Sequence, residues 1–335
     1  MTGYKQIKDL QVGETVSQVF LIADIEGRLT QKGKPYARLV LKDKSGQISA
    51  NVWDFDPKDC PEFRRGVYVS LTLEIQDYQG SKSGVSRAIP MPVVAPTDLS
   101  LYDNDKSLSV EDVEVYWKYL MSVKDKVKDS YIKAYLDVLF VHNPDLVKLY
   151  KTAPASTTNR GAYRGGLVEH VSKVMRNALA IIESQRTAKR PAPINDDIVI
   201  AGVLAHDLGK AYAYVVDETG AKMTRSGQLL EHLPMSYGLS VQAFIQAESL
   251  LHKAIPEELK DHINHCILAH HGQLDYGSPV KPRSIEAQII HVADMSDSTS
   301  SCFAENVFDN LDAVDTDGFV QGSRFTNKTL YIGKP

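Results

Sequence analysis

Cysteine is scarce in this chain of 335 residues: Cys60, Cys266 and Cys302 are an odd number, with no Cys-x-x-Cys spacing. That excludes a disulfide framework and points to a reducing compartment. No apolar run reaches membrane-spanning length, so no membrane partner is expected. The opening Met1-Thr-Gly-Tyr-Lys-Gln6 contains no apolar signal region, and the cytoplasm is the expected location. A basic excess is also absent, since the formal net charge is -4. This excludes a wholly basic protein but leaves room for a local basic face. There is no internal repeat and no low-complexity segment. What is there is an ordinary globular composition, 43% hydrophobic and 24% charged. The length suits two domains.

Residues 1–95 read as β structure. Val12 to Asp24 is strand-like, and the segment Thr30-Gln-Lys-Gly-Lys-Pro35 is a turn. Tyr36-Ala-Arg-Leu-Val-Leu-Lys42, Gln47-Ile-Ser-Ala-Asn-Val-Trp53 and Gly66 to Ile75 follow as strands, the last two with clear alternation. A fifth strand is expected over Val85 to Val94. Five short strands with these turns predict an OB-fold, a small Greek-key barrel. Such barrels hold single strands with outward aromatics and basic side chains. If Ile48, Ala50 and Val52 fill the interior, Trp53 lies outside with Asn51. Tyr36 and Arg38 share a face of the preceding strand, and Lys82 and Arg87 lie in or beside the next hairpin. These five candidates, Tyr36, Arg38, Trp53, Lys82 and Arg87, are expected to touch bases or phosphates. The plainer reading packs Trp53 on a neighbouring surface and leaves the bases in solvent.

Residues 96–108 form a polar linker, after which the periodicity becomes helical over 109–305. The tail, 306–335, has no clear period. The helical half concentrates the chemistry. An apolar run, Val199-Ile-Ala-Gly-Val-Leu-Ala-His-Asp-Leu-Gly-Lys210, carries His206 and Asp207. A His-Asp dipeptide alone is structural in most proteins. Here Gly165-Gly-Leu-Val-Glu-His170 precedes it, and His232, His270-His271 and Asp294 follow. Imidazole nitrogens with carboxylate oxygens favour Mn, Fe, Co, Ni or Zn over Ca. Elsewhere, His291 reads as a hydrogen-bonded core residue, and His252, His262 and His265 as surface residues or neighbours of ligands. Glu169 reads as a solvated neighbour of His170. Asp297 is either a support for a ligand or an ordinary helix-end acid.

The order His, His-Asp, His, His-His, Asp resembles the metal-dependent phosphohydrolases of the HD superfamily, in particular those holding two ions. The resemblance implies an all-α HD domain behind the OB-fold. It implies that His170, His206, Asp207 and Asp294 hold one ion, that Asp207 bridges, and that His232, His270 and His271 hold the other. Two divalent transition-metal ions follow, Mn first, with Co, Fe, Ni or Zn as alternatives. Lys210 would contact a phosphate oxygen and offset developing charge. Lys210 and Asp207 are therefore the catalytic candidates.

An OB module followed by this domain is similar to the YhaM family of bacterial 3′–5′ exoribonucleases. The segments carrying the likeness are Asn159 with Tyr163-Arg-Gly-Gly-Leu-Val-Glu-His170, Ile200 to Lys210, Gly227-Gln-Leu-Leu-Glu-His232, Leu268 to Pro282 and Glu286 to Asp294. Asn159, Arg160 and Tyr163 join the nucleic-acid candidates through it. Two departures lie outside the ligands. Arg160-Gly161 stands where the family often has a His pair, and Leu330-Tyr-Ile-Gly-Lys-Pro335 replaces a Phe-Tyr-Lys-Pro-like ending. Both bear on RNA against DNA.

The expected activity is metal-dependent 3′–5′ exonuclease action on single-stranded RNA, with single-stranded DNA as a further partner. The oligomeric state stays open, a homo-oligomer included. One alternative is a phosphodiesterase for small or cyclic nucleotides; cyclic-dinucleotide enzymes carry Gly-Tyr-Pro after the His pair, where this chain has Tyr276-Gly-Ser-Pro279. The other is a nucleic-acid-binding adaptor with an inactive HD domain.

Overall fold

A computed structural model describes residues 4–78, 80–93, 101–102, 107–158, 161–217, 220–311, 314–322, 326 and 329–333. Most of the expected linker lies outside the described residues. The chain divides into two compact units, one of residues 1–106 with 217–220, the other of residues 107–216 with 221–335.

The first unit is rich in strands: β1 (Thr15–Leu29), β2 (Pro35–Asp43), β3 (Gly46–Trp53), β4 (Tyr68–Tyr78), β5 (Ser81–Ser86) and β6 (Met91–Val93). The sheet order is β1-β2-β3-β5-β4-β6, and β1 also pairs with β4. The β3–β5 pair is parallel, and the rest are antiparallel. Alternation dictates what faces inward. Ala37, Leu39 and Leu41 of β2, Ile48, Ala50 and Val52 of β3, and Val69, Leu71, Leu73 and Ile75 of β4 are all buried in one core. Each large side chain so buried contributes roughly 1.5–3 kcal/mol.

Two differences from the expected strands have local causes. β1 runs on to Leu29 because a bulge between Ile22 and Asp24 shifts its register. The bulge breaks the alternation, so Phe20 to Ala23 are buried in succession, and it lets one strand pair with β4 before it and β2 after it. The expected strand 85–94 is two shorter ones, β5 and β6. The small polar sequence Ser81-Lys-Ser-Gly-Val-Ser86 conceals β5, and Pro90 separates it from β6.

The second unit contains α1 (Val110–Lys124), α2 (Ser130–Phe140), α3 (Pro144–Thr152), α4 (Gly166–Arg186), α5 (Asp196–Ala205), α6 (Lys210–Ala213), α7 (Arg225–Leu230), α8 (His232–Leu251), α9 (Glu257–Ala269) and α10 (Ile285–Asp309). It is not all helical. β7 (Tyr214–Asp217) pairs with β8 (Gly220–Met223), and β9 (Phe319–Gln321) with β10 (Thr329–Tyr331). The all-α expectation is corrected on both counts, because segments of three or four residues carry too little periodicity to announce a strand. α10 carries the helical region, expected to end at 305, on to Asp309. In its polar later turns the hydroxyls of Thr299 and Ser300 turn back onto the carbonyls of Met295 and Ser296, a pattern that bends a helix more than it strengthens it.

α5 lies at the centre. Every residue from Ile198 to Ala205 is buried, as expected of a helix apolar all round. Asn195 starts it, accepting from the amides of Asp197 and Ile198. At Gly202 an added Cβ would stand 2.4 Å from Ile290 Cδ1 of α10 and 3.1 Å from Cys266 Cβ of α9, so a larger residue would make those side chains shift. Tyr150 of α3 donates to the carbonyl of Leu204 at 3.1 Å and fixes the end of the helix just before His206. Among the described residues no helix is long and apolar enough to cross a membrane.

Candidate metal centre

The site is built from helix ends. His206 follows the last residue of α5, and His270 follows the last residue of α9. Each uses the same local device. His206 Nδ1 donates to the Val203 carbonyl and His270 Nδ1 to that of Ile267, both at 2.7 Å. These carbonyls sit in last turns, where acceptors lack intrahelical partners. With Nδ1 protonated, Nε2 of each ring keeps its lone pair and points away from its helix. His271 Nδ1 donates to the carbonyl of Tyr276, again at 2.7 Å. His170, on α4, is held by a carboxylate: its Nδ1 lies 2.6 Å from Asp297 Oδ2. Orientation of a ring by its far nitrogen is what ligand histidines need.

The turn after α5 carries Asp207. It reaches the start of α8 because residue 209 is glycine. An added Cβ there would stand 2.1 Å from the His232 carbonyl oxygen, and the Gly209 amide donates to Ser236 Oγ at 2.8 Å. Asp207 is 1% exposed, and its two oxygens face different histidines. Oδ2 lies 3.2 Å from both His170 Nε2 and His206 Nε2. Oδ1 lies 3.6 Å from His232 Nε2 and 3.7 Å from His270 Nε2. Asp294, on the α10 face that also bears Asp297, brings Oδ1 to 3.2 Å from His170 Nε2. Lys210, the first residue of α6, places Nζ 2.7 Å from Asp207 Oδ2 and is itself buried.

Two groups of three ligand atoms result: His170, His206 and Asp207, and His232, His270 and His271, each lying within 4.8 Å of one another. These could hold a divalent ion. The fit rests on three features. Neither oxygen of Asp207 nor His206 Nε2 is in hydrogen-bond geometry with any group among the described residues, though all three are buried. His232 Nε2 and His271 Nε2 face each other at 3.3 Å, the separation that two imidazoles sharing one ion would have. Ligand atoms about 2.0–2.2 Å from one ion stand roughly 3–3.5 Å apart, close to these separations.

The electrostatics suit the same purpose. Burial pushes His232 down to about 3, and the Lys210 ammonium adds to the effect. Burial also lowers His270 and His271. All three are neutral and able to ligate at ordinary pH. Burial alone would raise Asp207, but Lys210 and His206 outweigh it and hold the carboxyl well below its usual range. Asp294 is likewise held low by His170 against the effect of its own burial.

All seven ligand candidates and Lys210 are thus gathered in one place. The described nucleic-acid candidates fall in both units. Tyr36 and Trp53 are register partners across β2 and β3, with ring centroids 4.8 Å apart, and Arg38 is exposed opposite Asn51. Lys82 is exposed, but its ammonium donates to the carbonyls of Lys8 and Leu10 at 3.1 and 2.7 Å. Arg87 is exposed just after β5. Tyr163 is in the second unit, where its hydroxyl donates to Glu169 Oε2 at 2.5 Å. Asn159 and Arg160 lie outside the described residues. Glu169 corrects the expectation of a solvated acid: its side chain is 13% exposed and also pairs with Lys173 at 2.8 Å. Sequence reasoning missed Gly209 and Ser236 altogether. The Gly in His-Asp-Leu-Gly was the available signal, but its reason is a contact with residues far along the chain. His291 does make the expected hydrogen bond, Nδ1 to the His270 carbonyl.

Comparison with known proteins gives the family. Residues 167–298 match the HD domain family. The chain is 30% identical over 308 residues to the 3'-5' exoribonuclease YhaM of Geobacillus sp. (strain WCH70), covering 88% of this chain and 85% of that protein. It is 27% identical over 304 residues to the protein of the same name from Listeria welshimeri, with 88% of each covered. The relative from Halalkalibacterium halodurans is 27% identical over 296 residues, 86% of this chain and 84% of its own. An HD domain around a buried histidine–aspartate cluster, in a chain that aligns with these enzymes over most of its length, makes this protein a hydrolytic nuclease and a member of the YhaM family of 3′–5′ exoribonucleases.

Proposed function

We propose that the protein removes nucleotides from the 3′ end of single-stranded RNA at a dinuclear metal centre, with Mn the preferred ion and Co, Fe, Ni or Zn as substitutes. The observation that carries this reading is the division of Asp207, with Oδ2 toward His170 and His206 and Oδ1 toward His232 and His270. A carboxylate so placed suits a bridge. When bound, two ions supply an activated water and stabilise the attacking and leaving oxygens of a phosphodiester. The protein's part is to hold seven ligands in fixed orientation. Lys210 balances the Asp207 carboxylate in the resting site and is near enough to offset charge on a phosphate oxygen. Polarity and RNA as substrate follow from the names of the relatives.

The N-terminal strands are assigned in this reading as an OB-fold that grips the strand. The return of the pairing from β4 to β1 and the parallel β3–β5 pair support that fold. The paired rings of Tyr36 and Trp53, with exposed Arg38 beside them, support base stacking and phosphate contact. The test follows 5′-labelled single-stranded RNA and DNA of one sequence, with and without Mn, for the wild type and Asp207→Ala. Stepwise shortening of RNA by the wild type is expected. Asp207→Ala should lose both activity and metal content, and a fully active variant would sink the two-metal assignment.

A further inference from the structure

We infer that Glu231 is a positioning residue for His232, the acceptor that orients its ring for metal binding. The inference rests on the dinuclear reading above. Among the other ligand histidines, each Nδ1 meets an oxygen: Asp297 for His170, Val203 for His206, Ile267 for His270 and Tyr276 for His271. His232 breaks the pattern. Its side chain is 9% exposed, and its Nδ1 is buried with no hydrogen-bond partner among the described residues. Its Nε2 nevertheless faces the centre, 3.6 Å from Asp207 Oδ1. A ring with one nitrogen committed to an ion and the other unbonded lacks the support that fixes tautomer and angle.

Glu231 Oε2 is 4.0 Å from that Nδ1. The carboxylate is 63% exposed, so moving about 1 Å into hydrogen-bond range meets little packing resistance. The backbone supplies an independent observation. Glu231 has φ 60° and ψ 161°, between the end of α7 and the start of α8. That region is populated essentially by glycine, and another residue there is strained. The strain delivers His232 as the first residue of α8 with its ring toward Asp207. A glycine would make the same turn without strain. A glutamate in this conformation is explained if its carboxylate has work that glycine cannot do.

Glu231→Gly separates the two roles because it relieves the backbone and removes the acceptor together. Three quantities are to be measured on full-length wild type, Glu231→Gly and Glu231→Gln: melting temperature without metal, Mn and Co affinity by titration, and the ring ¹⁵N resonances of His232. Glu231→Gly should melt higher than wild type yet bind its weaker-held ion about 10-fold or more less tightly, with Nδ1 of His232 shifted. Glu231→Gln keeps the strain and a weaker acceptor, so it should fall between in affinity without the rise in melting temperature. A Glu231→Gly protein with unchanged metal affinity and unchanged His232 resonances overturns the inference and leaves the dinuclear reading intact. Failure of the wild type to bind either metal overturns both.

Discussion

His170 and Asp297 meet at 2.6 Å, Nδ1 to Oδ2, across 127 residues of sequence. Both are almost fully buried, at 3% and 4% exposure. The carboxylate fixes which ring nitrogen carries the proton and so presents Nε2 to Asp207 and Asp294. Asp297→Ala should lower affinity for the ion at His170 about 10–100-fold. Asp297→Asn, which still offers an oxygen, should lose less. Metal titration of the three proteins checks the order, and equal affinities would make Asp297 a packing residue.

Lys210 Nζ stands 2.7 Å from Asp207 Oδ2 with both groups buried. Lys210→Ala removes a positive charge without removing a ligand. Metal content should persist, while turnover drops by roughly 10²-fold or more, as for other electrostatic groups at reacting centres. Metal loss in this variant would show that Lys210 works by holding Asp207 in place.

The metal-free protein should lose stability in acid over a defined window. His232 is pushed to about 3 by burial, against about 6.5 in an unfolded chain. Between those values the unfolded state binds a proton that the folded state refuses, so stability rises with pH there. The contribution is complete above roughly pH 6.5 and declines as acid takes the pH down toward 3. Asp207 and Asp294, both held low, add a loss of the same sign in stronger acid. Melting temperatures of chelator-treated protein across this range should show the decline, and His232→Asn should flatten its upper part.

Tyr36 and Trp53 form one ring pair on β2 and β3. Base–aromatic stacks contribute about 1–3 kcal/mol each. Replacing both by Ala should weaken binding to a long single strand and shorten runs of successive cleavage, with dinucleotide hydrolysis nearly unchanged. Added salt should weaken the long substrate more, since more phosphates are neutralised along it. Equal loss on both substrates would make the strand-rich unit a structural support.

The sequence by itself determined the candidate ligands and their order, because His170, His206-Asp207, His232, His270-His271 and Asp294 recur in one order through helical segments. It also determined the inner faces of β2 and β3, since alternation needs only neighbours in sequence. Ile48, Ala50 and Val52 are buried as that alternation requires. Long-range contact decided the rest. The bulge in β1 depends on which two strands it must join. Glu169 looked solvated because nothing nearby in sequence announces Tyr163 and Lys173 as its partners. Gly209 matters through the carbonyl of His232, and Asp297 through a ring on another helix. The division of Asp207 between two sets of nitrogens also exists only in three dimensions, because α4, α5, α8 and α9 must first pack before one carboxylate can face them all.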